Sequence, residues 1–518
     1  MTEMSANGRP PYFALAVAAV ACLVYLQAEL SFLAGGMGFP LDDSWIHLQF
    51  ARQLAAGDGL AYHPGGAWVS GSTSPLWTAL LAAGFLLPSA VAWSKLLGCV
   101  FFLATVDATR RLAAALGLSS GPQHLAALLV AATHWLVWSA LSGLEIGLFA
   151  WLSLWGIIFH LRERAAPERP LASLAVFAAA ALARPEGYLL LALAVADRWP
   201  EYRRKLPLGD RGWLAGIAGA AVILAPTLLF YRFAGGSFLP TTFAVKAGSP
   251  VDLLPDGRYL GAVVDILFGA QPLMLLLAGA GVLRLADRPR CGWLPATWPL
   301  GLALTYSLLT PPGGPLAVGN FGRYYFPVLP VVVVLGVLGM QGGVRQLAAR
   351  RDFGALSLRG ILVVLALAPP LWSLYRGSGR YLQTIANVEQ SDVAAARWLD
   401  GRLPPEAVLA VQDIGALKYF LPNPVIDLAG IVNPEVVPLL KAPGPVYWEQ
   451  RLLSYLETRK PDFLVVFPRS YPGLTSRVPG FEKVRGFEVP QNVTMAGDEL
   501  AIFTTPWTRF DLGDPDEP

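Results

Sequence analysis

Apolar runs long enough to matter to a bilayer, broken by short polar turns, fill the chain up to about residue 375. They cover 11–34, 90–109, 122–141, 145–161, 171–183, 187–197, 212–232, 261–283, 293–310, 324–340 and 359–375. A crossing helix needs roughly 20 apolar residues. The two runs flanking residue 185 are shorter. At about 1.5 Å per residue neither arm fills a hydrocarbon core of about 30 Å. The turn between them, Arg184-Pro185-Glu186-Gly187, is therefore expected below the membrane surface, facing a polar cavity. The stretch 75–87 opens with Ser74 as N-cap and Pro75 at the first helical position, stops at Pro88, and reads as a helix lying on the membrane surface. After about residue 376 the pattern changes. Segments 407–412, 425–428, 462–467 and 499–504 read as strands, and 388–401 and 445–458 as helices. The tail 511–518 is acidic and predicted to be disordered.

The predicted fold is a polytopic α-helical membrane protein of about eleven crossings over residues 1–375, with a first external loop at 35–89. A soluble α/β domain over 376–518 follows. Charge supports this layout. Alternate loops carry Arg110 and Arg111; Arg162, Arg164 and Arg169; Arg198, Arg203, Arg204, Lys205 and Arg211; Arg284, Arg288 and Arg290; Arg345, Arg350, Arg351 and Arg359. The opposite loops hold only Arg52, Arg184, Lys246, Arg258 and Arg323. Basic loops stay cytoplasmic, so the N-terminus is expected inside, and both the loop 35–89 and the C-terminal region outside the cytoplasm.

Composition agrees: 54% of residues are hydrophobic and 14% charged, against about a quarter charged in soluble proteins. A net charge of +3 gives no case for nucleic acid. Cys22, Cys99 and Cys291 sit in or beside apolar runs and read as core residues. The apolar run after Arg9 lacks a clear cleavage site and reads as an uncleaved anchor.

Charge at a membrane boundary is costly unless it has a use, which singles out Asp42 and Asp43, directly after the first run. Trp45, Ile46, Leu48, Phe50, Ala51 and Leu54 follow in a helical pattern ending at Gly57. An acid at a helix start is held ionised by backbone N–H groups and the helix dipole, fit to accept a proton. One of the pair can serve as cap alone. His47 lies one turn after Asp43. The Gly-, Ser- and aromatic-rich stretch 57–77, with His63, Thr73 and Trp77, suits a sugar, where rings stack and hydroxyls bond. Glu145, Arg184, Glu186, Lys246, Arg323 and Tyr324 are all expected near the outer face, the bases to hold a phosphate. Asp413 follows a predicted strand, where α/β folds bind ligands. No nucleotide-binding loop or zinc motif is present, no cofactor is indicated, and a divalent metal on the acids remains an option.

The block Asp42-Asp43-Ser44-Trp45-Ile46-His47-Leu48-Gln49-Phe50-Ala51-Arg52, with His63-Pro64-Gly65-Gly66 and Ser70-Gly71-Ser72-Thr73-Ser74-Pro75-Leu76-Trp77, resembles the first external loop of bacterial GT-C glycosyltransferases. It is most similar to mycobacterial terminal arabinofuranosyltransferases. Ser-Gly-Leu-Glu at 142–145, Ala-Arg-Pro-Glu-Gly at 183–187 and Leu-Pro-Thr-Thr-Phe-Ala-Val-Lys at 239–246 extend the likeness. So do Asp413-Ile414-Gly415-Ala416-Leu417 and Ile426-Asp427-Leu428-Ala429-Gly430. The resemblance implies inverting transfer of a sugar from a polyprenyl-phosphate-sugar donor to a cell-envelope glycan or glycolipid, at a bacterial plasma membrane, with Asp42 or Asp43 as base. Arg52, in the same block, would join the substrate-binding set. The family pattern carries Asn before the Pro-Gly and Glu-Gly-Tyr-Thr further on, where this chain has His63 and Ser70 to Thr73. These departures bear on the sugar more than on the reaction type.

A transporter or flippase of lipid-linked sugars is the alternative. It needs the same lipid site, but transporters are commonly built from repeated halves, which this chain lacks. A non-catalytic envelope-assembly subunit is a third reading.

Overall fold

The computed structural model describes residues 9–166, 171–205, 211–246, 254–288, 291–309, 320–350, 355–441 and 445–514. The chain divides into two units: Met1–Ala28, Ser94–Thr227 and Pro250–Ser378 form one, and Glu29–Trp93, Leu228–Ser249 and Gly379–Pro518 the other.

The first unit is helical. Among the described residues of the whole chain, five helices are long and apolar enough to cross a membrane: Tyr12–Phe32, Ala90–Ala115, Gly212–Gly235, Gly322–Gln346 and Arg359–Leu399. Counting each sharply bent pair as one span gives up to seven. The run 122–141 is one such pair, Ser120–Ala131 and His134–Leu141, bent by 56°. The run 261–283, expected as a single crossing, is instead two helices, Gly257–Ala270 and Pro272–Ala286, at 111°. Gln271 between them is not helical, at φ −148° and ψ 68°, because a residue before proline is pushed out of the helical region. Its side-chain amide donates to the Leu129 carbonyl at 3.0 Å and to Thr133 Oγ1 at 2.8 Å. One polar side chain thus ties the two breaks together and satisfies a carbonyl freed there.

The short arms near residue 185 are the helices Ala172–Ala183 and Glu186–Lys205. Gly187 lets them meet, since a Cβ there would fall on the Ala181 backbone. At the far end of this hairpin the basic residues are paired. Arg164 and His160 reach Asp197 at 3.2 and 2.8 Å, and Arg198 reaches Glu163 at 3.2 Å.

The second unit is built on a five-stranded sheet: β1 (Leu409–Val411), β2 (Val425–Asp427), β3 (Phe463–Val466), β4 (Lys483–Glu488) and β5 (Glu499–Thr504), in the order β2-β1-β3-β5-β4. The first three are parallel and the last two antiparallel to their neighbours. Both faces are covered. Leu409, Val411, Phe463 and Val465 pack on one side with Ile46, Phe50 and Tyr62 from the first loop. Ala410, Leu464 and Val466 pack on the other with Leu452 and Leu456 of the helix Pro445–Arg459. Two-sided burial accounts for the unbroken apolar runs of the parallel strands. Segment 388–401 continues the long helix Ala355–Val388 through a π-turn at Glu389–Val393 into Ala394–Leu399.

Candidate active site

In the second unit, the first-loop helix Asp43–Ala56 ends at Gly57, whose φ of +92° is the left-handed conformation glycine permits. Asp42 stands at its N-cap position but makes no side-chain bond to it. Its carboxylate instead accepts the N–H groups of Gly415 and Ala416, each at 2.7 Å. Those donors open the helix Ile414–Phe420, whose own N-cap residue, Asp413, makes no capping bond. Asp42 is thus the cap of a helix far away in sequence, using the orphan N–H groups that every helix start presents. The contact requires glycine, because a Cβ at 415 would overlap the Asp42 carbonyl and carboxylate.

The other end of the same helix is held too. Arg52 donates to the Tyr419 carbonyl at 2.7 Å and stacks 3.9 Å over the Tyr419 ring. Tyr62 adds a bond at the helix start, donating to the Ile414 carbonyl at 3.0 Å, and Trp45 packs on Tyr419 and Phe420 at its end. Arg52, expected among the substrate-binding residues, joins the first loop to this helix.

Asp413 and Asp427 both sit at the carboxyl ends of parallel strands, and β1 is where the strand order reverses, the position at which such sheets bind ligands. Burial pushes the Asp42 carboxyl up to about 7, against the pull of its two N–H donors, with Asp43 adding repulsion. Asp413 is also raised, by burial and then by Asp42, Asp43 and Asp427. Asp427 is raised to about 6 by burial, although the Ala429 and Val432 N–H groups bond to it. Asp392, fully buried, has Asp413 and Asp42 as charged neighbours. Asp43, next along the chain, is the first residue of the helix Asp43–Ala56.

The remaining first-loop candidates divide. His47 is buried on the same helix. Burial, with Lys418 nearby, lowers His63 to about 4, so it is neutral at pH 7. Thr73 is partly buried, beside Ser74. Trp77, expected as a stacking surface, is fully buried, because its helix packs it inward; the exposed indole of the loop is Trp68. Lys246 ends the short helix Thr241–Lys246, and its side chain lies outside the described residues.

The first unit gathers a second group. Arg184 donates to Glu145 at 2.5 Å and to Glu186 at 2.7 Å, and all three are about 95% buried. Tyr306 donates to Glu186 at 2.9 Å. The Tyr324 ring lies 5.2 Å from the Arg184 guanidinium and 5.5 Å from that of Arg323. Five expected residues thus come together: Glu145, Arg184, Glu186, Arg323 and Tyr324. No group of three or more ligand-type side chains fit for a metal ion occurs among the described residues.

A crystal structure of ArnT from Cupriavidus metallidurans bound to undecaprenyl phosphate aligns with 95% of this chain and 97% of its own, at TM-score 0.58 and 16% identity. Its apo form gives 0.57. Arabinofuranosyltransferase AftD from Mycobacteria aligns at 0.47 and 18% identity, over 94% of this chain and 41% of that one. The chain has the GT-C glycosyltransferase fold. Residues 383–507 match a domain of unknown function, DUF8728. No curated protein matches in sequence.

Several members of the two groups escape sequence reasoning. Asp392 lies in a helix with no motif around it. Tyr306 is a lone tyrosine in an apolar run. Asp427 had a signal, the Ile-Asp-Leu-Ala-Gly block, but nothing in it marked the acid.

Proposed function

We propose that this membrane protein is an inverting glycosyltransferase that takes a sugar from a polyprenyl-phosphate-sugar donor to a glycan or glycolipid acceptor outside the cytoplasm. The observation that carries this is the end-to-end likeness to a fold seen holding undecaprenyl phosphate. The acceptor hydroxyl oxygen attacks the anomeric carbon from the face opposite the phosphate. The bond from that carbon to the phosphate oxygen breaks, and the phosphate departs with the electron pair. Asp43 takes the hydroxyl proton, and Asp42 is a positioning residue that fixes the first-loop helix. Arg184 and Arg323 offset the charge growing on the leaving phosphate, with Glu145 and Glu186 orienting Arg184. The charge asymmetry of the loops supports about eleven crossings, with residues 35–89 and 376–518 on the outer side.

The test is to incubate membranes bearing the full chain with defined polyprenyl-phosphate sugars and envelope acceptors, and to read the product's anomeric configuration by NMR. Inverted product is expected. Retained configuration, or transfer equal to that of membranes lacking the protein, overturns the reading.

A further inference from the structure

The first unit contains a cavity of about 530 Å³ that the proposed reaction does not use. Its walls come from the starts of the helices Tyr12–Phe32, Ser120–Ala131 and Ala355–Val388, and from the later part of Leu329–Arg350. Leu125, Leu128, Val344, Leu362, Val363 and Leu367 make it largely apolar, yet Arg345 and Arg359 line it too. A second cavity of about 240 Å³ shares Arg345 and Gln341 with the first and adds Arg284 and Arg288. Among the described residues no acid lines either one. Arg288 is engaged with the Leu116 carbonyl, and Arg284 approaches the exposed Asp287 at 3.9 Å.

We propose that the larger cavity is a binding site for an anionic phospholipid of the bilayer. The phosphate is held by Arg345 and Arg359, and an acyl chain lies against Leu362, Val363 and Leu367. Charge complementarity selects the headgroup, because arginines beside an apolar wall, with no carboxylate among the described lining residues, favour an anion. The apolar wall selects a lipid over a free anion, since inorganic phosphate gains nothing from six aliphatic side chains. All four arginines belong to the basic clusters that the charge rule assigns to the cytoplasmic side, where anionic headgroups attract such clusters. The site is separate from the Glu145, Arg184 and Glu186 group, so it is available for a structural lipid.

The experiment uses the full chain, purified and delipidated in a neutral detergent. Lipid binding is followed by native mass spectrometry and by the shift in unfolding temperature. The additions are phosphatidylglycerol, phosphatidylcholine, a polyprenyl monophosphate and inorganic phosphate. Phosphatidylglycerol is expected to bind and raise the unfolding temperature, phosphatidylcholine and inorganic phosphate to do neither. Arg345→Gln with Arg359→Gln is expected to weaken phosphatidylglycerol binding roughly 30-fold, at about one factor of five for each base near an anionic lipid. The exposed Arg258→Gln serves as control and should leave binding unchanged. If the double variant does not fold, Val363→Trp, which fills the apolar wall and keeps both arginines, should weaken binding instead. Equal binding of phosphatidylcholine, an effect reproduced by inorganic phosphate, preference for the polyprenyl phosphate, or variants that bind like wild type would each overturn the proposal. Loss of sugar transfer is not a readout here, so failure of the proposed reaction does not touch this result.

Discussion

Asp42 and Gly415 lie 373 residues apart, yet the carboxylate of the first accepts the N–H of the second at 2.7 Å. That bond, with its twin to Ala416, fastens the first loop to the helix behind β1. Losing a cap costs about 0.5–2 kcal/mol, and here two buried donors lose their partner. Asp42→Ala should therefore destabilise by about 2 kcal/mol and Asp42→Asn by less, in thermal unfolding of the full chain. Gly415→Ala should cost a similar amount, and the double variant less than the sum, because both substitutions break one contact.

The sequence held part of this arrangement. The helix start at Asp43, its end at Gly57 and the strands β1, β2, β3 and β5 follow from local patterns of apolar and turn residues. Strand β4 does not, because Lys483, Arg485 and Glu488 give an edge strand little apolar signal. The 111° turn at Gln271 was signalled only by Pro272, inside a run whose hydropathy never falters. A capping acid suggested itself at Asp42, but a local pattern points to the nearest helix. That Asp42 caps Ile414–Phe420 instead is a tertiary fact. The trio Glu145, Arg184 and Glu186 was legible because buried charges are rare enough to seek one another. Trp77 is buried and Arg52 is bonded to the Tyr419 carbonyl, because rings and arginines serve packing as readily as binding.

Stability should depend on pH through Asp42. Its carboxyl is raised to about 7 in the folded protein, against about 4 in an unfolded chain. A raised acid binds its proton more tightly when folded, so its contribution is present below pH 4 and lost as pH rises to 7. Asp427, raised to about 6, has the same sign. His63, lowered to about 4, opposes them between pH 4 and 6.5. Subtracting the unfolding profile of Asp42→Asn from that of wild type isolates the first term. The difference should fall from pH 4 to 7 and flatten above.

Arg184 lies between two buried carboxylates. Arg184→Gln leaves both uncompensated and should destabilise by about 3–5 kcal/mol. Arg184→Lys keeps the charge but not the fork, and should recover part of the loss. Tyr306→Phe removes one donor to Glu186 and should cost about 1 kcal/mol. Unfolding temperatures in one detergent rank the three.

The central claim is that the two adjacent aspartates divide their work, Asp42 holding structure and Asp43 taking the acceptor proton. The direct measurement is the initial rate of sugar transfer from a polyprenyl-phosphate sugar by the full chain carrying Asp43→Asn. Its unfolding temperature is checked alongside. The account predicts a loss of about 100-fold or more with the unfolding temperature nearly unchanged. Transfer by Asp43→Asn at the wild-type rate would contradict it.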